Sequence, residues 1–215
     1  MTQCGSHPIF ARLYARISPG WEHTAIGEHR QKLLAGLGGR VIEVGAGNGL
    51  NFAHYPPEVA EVVAVEPEPY LRSLALRAAE RAPVRVTVID GRAESLPSPD
   101  AQFDAAVTSL VLCSVSDQHA ALLEIRRVLR QSGELRYYEH VVSRRPATAQ
   151  IQRLLDASVW PRLAGGCHMA RDTGAAIRAA GFTVRAEERL AVKTGRTQPG
   201  VPHLLGVAHP AREAY

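Results

Sequence analysis

At 215 residues the chain is long enough for one sizeable hydrophobic core and too short for more than two small domains. Apolar residues make up 46% of it and charged residues 21%, which is ordinary for a globular protein and excludes wholesale disorder. The net charge of +4 comes from arginines spread along the chain, which reads as a solvated surface rather than a stripe for nucleic acid or anionic lipid.

Residues 8–17 and 21–37 open the chain as helices. Residues 40–44 form a β-branched strand, and a short helical piece after it stops at Pro56-Pro57. Residues 61–65 are a second strand. Residues 68–81 read as a helix, with Leu71, Leu74, Ala75 and Ala78 on one face. Strands follow at 84–90 and 103–108, then a helix to Arg130 that Asp117 is placed to cap. Gln131-Ser132-Gly133 turns into a fifth strand, 134–142. Helices are expected at 147–163 and 172–180, strands at 182–189 and 204–208, and a loop at 193–202. Strand and helix alternating in this way predict a parallel sheet with helices on both faces and a site at the carboxyl ends of the strands. No linker divides the chain. Residues 1–37 are expected to be lid helices, 38–142 the binding core, and 143–215 substrate-side helices and closing strands.

The chemistry begins at R-V-I-E-V-G-A-G-N-G-L-N-F, residues 40–52. Glycine permits positive φ and lets a ligand touch the backbone, so strand, glycine turn and helix start together make a cradle of N–H groups. Leu50 stands where a dinucleotide fingerprint needs its third glycine, and no Gly-Lys-Ser/Thr exists for a phosphate loop. Glu43, just before Gly45, suits a cationic ligand. Glu66 lies about twenty residues beyond Gly45, where a carboxylate accepts the hydroxyls of a ribose. A ribose and a cation without phosphates describe S-adenosylmethionine.

With that the motifs fall into a known order. E-V-G-A-G-N-G at 43–49, A-V-E at 64–66, D-G-R-A-E-S-L-P at 90–97, F-D-A-A-V at 103–107 and V-L-R-Q-S-G-E-L at 128–135 resemble the class I S-adenosylmethionine-dependent methyltransferases. The resemblance implies a Rossmann-like, doubly wound α/β fold with a seven-stranded sheet. It places Glu43, Gly45, Ala46, Gly47, Asn48, Gly49 and Asn51 around the methionine end of the cofactor. Glu66 and Pro67 fall at the ribose, Gly91, Arg92, Ala93 and Glu94 at the adenine, and Ser109 and Leu110 at the exit of the fourth strand. Arg92 stands where the family usually has Asp, so the backbone N–H of Ala93 is the expected adenine contact.

Asn51-Phe52 with Tyr55-Pro56-Pro57, then S-L-V-L-C-S-V at 109–115, Glu139-His140-Val141, and Gly166-Cys167 with Arg171 are similar to the methyltransferase-like seven branch. Its members methylate small alkyl thiols, which makes a thiol sulfur the favoured acceptor. Quinols, amines and phospholipids, or a catalytically silent cofactor-binding protein, stay as alternatives. A thiol has a pKa of roughly 8.5, so a base near neutrality helps it react. His140 is the first candidate, Glu139 orients its surroundings, and His168 is a second candidate base. Cys113 reads as a pocket lining or a small buried residue.

Cys4, Cys113 and Cys167 are too few and too scattered for a disulfide framework, and a reducing cytoplasm is the natural reading. Their spacing does not resemble that of arsenite methyltransferases. No Cys-x-x-Cys or paired Cys/His spacing occurs, so no metal centre is expected. No run is apolar enough to cross a bilayer, and no signal peptide or nucleic-acid-methylating motif is present. Animal members carry an N-terminal membrane anchor, and none is expected from these residues. The apolar stripe of Ile9, Phe10, Leu13, Tyr14 and Ile17 is expected to pack as a lid over the substrate. The sequence leaves the oligomeric state open.

Overall fold

The computed structural model describes residues 8–193 and 200–211. Most of the expected 193–202 loop, and Cys4, lie outside them. Seven strands form one sheet in the order β3-β2-β1-β4-β5-β7-β6. They are β1 (Gly39–Val44), β2 (Val59–Val65), β3 (Val86–Ile89), β4 (Phe103–Ser109), β5 (Leu129–His140), β6 (Phe182–Val192) and β7 (Val201–Pro210). The helices are α1 (Pro8–Ile17), α2 (Ala25–Leu34), α3 (Pro69–Ala79), α4 (Gln118–Val128), α5 (Pro146–Asp156), α6 (Trp160–Leu163) and α7 (Thr173–Ala179). None of these is long and apolar enough to cross a membrane.

Strand periodicity sorts the core onto two faces. Ile42, Val44, Leu135 and Tyr137 join Leu122, Ile125 and Ile177 of α4 and α7 in one cluster. Their neighbours Val41, Val62 and Tyr138 join Leu33, Leu34 and Phe52 in the other. Both faces are covered, which is why the inner strands read as continuous apolar runs. The chain runs outward from β1 through β2 to β3, then returns to place β4 on the other side of β1. The crevice where strand order reverses therefore opens at the carboxyl ends of β1 and β4.

Three expectations change. The sheet is mixed, because β7 enters antiparallel between β5 and β6. The turn at 131–133 is absorbed into β5: its register moves from Phe103↔Leu129 to Ala105↔Glu134, so the intervening residues bulge out of the ladder. The helix at 147–163 divides into α5 and α6, because Pro161 enters the first turn of α6 and Ser158 bonds back to the Leu155 carbonyl.

The expected helix at 21–37 is also shortened, to α2 (Ala25–Leu34), while the one at 8–17 forms as expected. Residues 18–23 are a 3₁₀ turn, and Thr24 closes the corner by donating to the Trp21 carbonyl and accepting from the Ile26 N–H. That corner lets α1 and α2 lie in different directions. Thr24→Ala removes the cap of α2 and is expected to lower unfolding free energy by about 1 kcal/mol, read from urea denaturation.

Candidate functional site

Gly45, Gly47 and Gly49 all take positive φ. Gly45 and Gly49 are packed tight, the first against Val111 and the second against Phe52 and Ala78. Gly47 differs. A Cβ there would meet only the Tyr14 ring of α1, at 3.5 Å. The middle of the loop therefore has room for a single carbon beneath an aromatic ring. Asn48 ties the same loop to the N-terminal segment by donating to Ser18 Oγ at 3.0 Å.

Two buried carboxylates stand at the strand ends. Glu66 accepts from Gly47 N–H at 2.7 Å and from Glu68 N–H at 2.9 Å, and Glu68 in turn caps α3 after Pro67. Each oxygen keeps a lone pair for a further donor. Burial raises the Glu66 pKa. Glu43 lies beneath the loop, accepting from Asn51 Nδ2 at 2.9 Å and from the Tyr55 hydroxyl at 2.7 Å. Arg30 donates to Asn51 Oδ1 at 2.8 Å, so a buried cation sits one residue removed from the carboxylate. Burial pushes Glu43 up to about 7, against the lowering effect of Tyr55 and Asn51.

The segment from Gly91 to Glu94 lines the next edge. Arg92 turns to Glu94 and Ser116, and Glu94 accepts from the Ser116 N–H and hydroxyl. Burial opposes charge on Glu94, but these hydrogen bonds outweigh it and hold the pKa below the usual carboxylate range. Ala93 is buried. At the exit of β4, Leu110 takes φ +61, an uncommon conformation for a residue with a Cβ, and donates to the Tyr138 carbonyl at 2.7 Å. The buried hydroxyl oxygen of Ser109 has no hydrogen-bond partner.

The end of β5 lies beside that exit. Glu139 is fully buried and accepts from the backbone N–H of Val111 and of Cys113, at 3.1 and 3.3 Å. The Nδ1 atom of His140 is 3.8 Å from Cys113 Sγ and 3.3 Å from Cys167 Sγ. Both cysteines are free and buried. The three ligating atoms lie within 4.8 Å of one another. Burial disfavours charge on His140, but Cys113 and Glu139 outweigh it and raise its pKa. A hydrogen bond between the two cysteines raises Cys113 and lowers Cys167. His140 contacts the His203 ring at a tilt, and His203 stacks on Tyr138. His203 has its pKa lowered to about 3 by burial and by His140. His168 donates its backbone N–H to the Cys113 carbonyl at 2.8 Å, while its imidazole turns towards Asp156 at 3.9 Å.

Sequence spacing gave no sign of this cluster. Cys113, His140 and Cys167 are 27 residues apart at each step, and only the tertiary fold brings the β4 exit, the end of β5 and the loop after α6 together. The expectation that no metal-ligating set exists rested on local spacing and did not anticipate it. The glycine loop does lie against Glu66, through the Gly47 N–H, and against the β4 exit, through Val111 on Gly45.

The comparisons with known proteins agree with this geometry. A methyltransferase domain family matches residues 42–137. The protein named thiol S-methyltransferase TMT1B is 32% identical in Homo sapiens over 82% of this chain and 74% of its own length. Its Mus musculus counterpart is 33% identical, again over 82% and 74%. The chain belongs to the class I S-adenosylmethionine-dependent methyltransferases, in the methyltransferase-like seven branch. The fold is shared with a Thermotoga maritima structure described as an S-adenosylmethionine-dependent methyltransferase, possibly of histamine. That structure has a TM-score of 0.67 and 23% identity, over 94% of this chain and 98% of that one.

S-adenosylmethionine is accordingly the cofactor of this methyltransferase. The residues fit it. Gly47 presents backbone with no Cβ over it, Glu66 retains acceptor capacity, and the Ser109 hydroxyl lacks a partner. The cofactor supplies a methyl group on a sulfonium. This chain's part is to hold the reactants in line and keep water out.

Two outcomes follow for this site. Glu66→Ala is expected to weaken S-adenosylmethionine binding by about 1–3 kcal/mol in titration calorimetry, with the fold retained, and Gly47→Val to abolish binding by putting a side chain over the bare backbone. The buried carboxyls also set a pH dependence. Glu43 has a folded pKa of about 7 against an ordinary 4.5, so the folded state binds more protons between those values. Stability from this group is therefore present at low pH and lost as pH rises towards 7. Unfolding free energy should fall between about pH 5 and pH 8, and by less in Glu43→Gln, as read by urea titration.

Proposed function

We propose that this methyltransferase transfers the methyl group to the sulfur of a small alkyl thiol. The observation that carries the reading is the placement of His140 at the carboxyl end of β5, among two buried cysteines and beside the β4 exit. The relatives named thiol S-methyltransferases support it. In this reading Glu43, Asn48 and Asn51 shape the loop around the methionine end, Glu66 and Pro67 hold the ribose, and Gly91 to Glu94 border the adenine. Ser109 and Leu110 separate cofactor from acceptor.

His140 brings the acceptor sulfur to its reactive form. Glu139 touches no reactant and positions the strand end and the β4 exit together. His168 acts through its backbone, by fixing the Cys113 carbonyl. The helix α1 is the lid. Tyr14 covers Gly47, and Phe10 packs so closely on Gly165 that a Cβ there would stand 2.4 Å from its ring. Two free buried thiols suit a reducing compartment such as the cytoplasm.

The test is a methyl-transfer assay against thiols, quinols, amines and phospholipids. Turnover of an alkyl thiol, falling about a hundredfold or more in His140→Ala with cofactor affinity nearly unchanged, is the expected result. Turnover confined to a quinol, amine or lipid would overturn the sulfur assignment. No turnover of any class with intact cofactor binding would make the chain a cofactor-binding protein only.

A further inference from the structure

We propose that Cys113 Sγ, His140 Nδ1 and Cys167 Sγ bind a zinc ion, and that its fourth position receives the sulfur of the acceptor thiol. This rests on the thiol reading above and supplies its activation step. The geometry is that of a tetrahedral site. Zinc holds sulfur at about 2.3 Å and imidazole nitrogen at about 2.0–2.1 Å, so two such ligands stand roughly 3.5–3.6 Å apart. The two sulfur–nitrogen separations, 3.8 and 3.3 Å, lie on either side of that value, and all three atoms fall within 4.8 Å. Closing around the ion needs shifts of at most about an ångström, within the reach of side-chain rotation.

The ligand set selects the ion. Two thiolates and one imidazole are soft to borderline donors, poor for magnesium or calcium and suited to zinc. Three protein ligands, rather than four, is the arrangement of zinc sites that keep a position open for a reactant.

The supports around the ligands are as telling as the ligands. The Cys113 N–H is held by Glu139 and its carbonyl by the N–H of His168, so the two cysteine-bearing loops are tied to each other. Gly166 brings them closer still: a Cβ there would lie 2.7 Å from the Ser114 carbonyl oxygen, and its φ is +88. Arg171 donates to the Leu112 carbonyl at 2.7 Å, a third tie between the same loops. Ser114 Oγ lies 3.6 Å from Cys113 Sγ, a second polar group at the sulfur. Fixing the ligands through neighbouring groups is what gives metal sites their affinity and geometry.

The chemistry balances. The acceptor R–SH loses its proton to solvent on binding zinc, and the sulfur becomes a thiolate. Its lone pair forms the new S–CH3 bond while the bond from that carbon to the cofactor sulfonium breaks, and the bonding pair stays on the cofactor sulfur. The products are R–S–CH3 and S-adenosylhomocysteine, both uncharged at sulfur. Two cysteine thiolates neutralise the zinc, so the bound acceptor gives the site one negative charge facing one positive sulfonium. The reaction removes both charges. The thioether is a poor ligand and leaves.

The experiment uses the full chain. The protein is stripped with a chelator under reducing conditions and reloaded with zinc or with cobalt(II). About one metal per chain is expected by elemental analysis, with the visible bands of tetrahedral, thiolate-ligated cobalt. Cys113→Ser, His140→Gln and Cys167→Ser should each lower metal affinity tenfold or more (roughly), while Cys4→Ser should not. Circular dichroism checks the variants' fold, and the wild-type cobalt spectrum does not depend on them. Adding an alkyl thiol with S-adenosylhomocysteine should shift the cobalt bands. Failure of wild-type protein to retain zinc, or a Cys113–Cys167 disulfide found by mass spectrometry in protein isolated without metal, overturns the proposal. Bands unmoved by thiol overturn the open position. Metal-free protein that still methylates thiols would sink the zinc site and leave the thiol reading standing. A loaded site in a protein that methylates only quinols or amines would sink the thiol reading and the open position, leaving the metal.

Discussion

A carboxylate with no access to water must take its hydrogen bonds from the protein, and Glu139 takes them from the backbone of the β4 exit. That one requirement joins the two halves of the site. Val111, held by Glu139, packs its side chain directly against Gly45, so that no Cβ fits between them. Cys113, held by the same carboxylate, faces His140. Leu110 precedes both in a left-handed conformation that costs about 1–3 kcal/mol and persists only where surroundings enforce it. Its N–H is bonded to the Tyr138 carbonyl on the strand that carries Glu139. The glycine loop and the Cys113–His140–Cys167 cluster thus share one buried anchor, and neither can be displaced without disturbing the other.

The N-terminal segment depends on that arrangement differently. Helix α1 buries only Ala11, while Ile9, Leu13 and Ile17 stay exposed. It meets the site through Tyr14 over the glycine loop and Phe10 over Gly165, and the tie from Asn48 to Ser18 lies just beyond it. An element held by so few buried contacts opens at lower free energy than the sheet beneath it. A site that must admit a cofactor and an acceptor and then exclude water needs an element of that kind.

How far the sequence announced all this depends on the range of the interaction. The glycine loop, the cap by Asp117 and the inner strands are set by residues a few positions apart, and they are legible, as is Glu66 from its place at the end of the second strand. The bulge at 130–133 is not, because Gln131-Ser132-Gly133 reads as a turn, and only pairing with β4 draws it into a strand. The antiparallel entry of β7 depends on partners at both its edges. Cys113, His140 and Cys167 sit on three separate segments and have no shared local pattern. The contacts of Glu43 were also hidden. The carboxylate read as suiting a cationic ligand is also held from beneath the loop by Asn51 and Tyr55, which organises the cradle from below.

The burial that makes these groups hard to read also explains their use. A low-dielectric site penalises isolated charges and strengthens the attraction between opposite ones. Glu43, Glu66 and Glu139 all have raised pKa values through burial, so the protein already works against negative charge here. A sulfonium entering such a site finds carboxyl groups that gain by ionising beside it. A thiolate formed within it finds a cation to react with and little water to shelter it. When the methyl group moves, both charges vanish, and the environment that penalised the reactants favours the uncharged products. Transfer from a sulfonium to a thiolate is therefore a reaction that a dry, rigid pocket assists, provided that the thiolate is generated next to the cofactor rather than brought in from solvent.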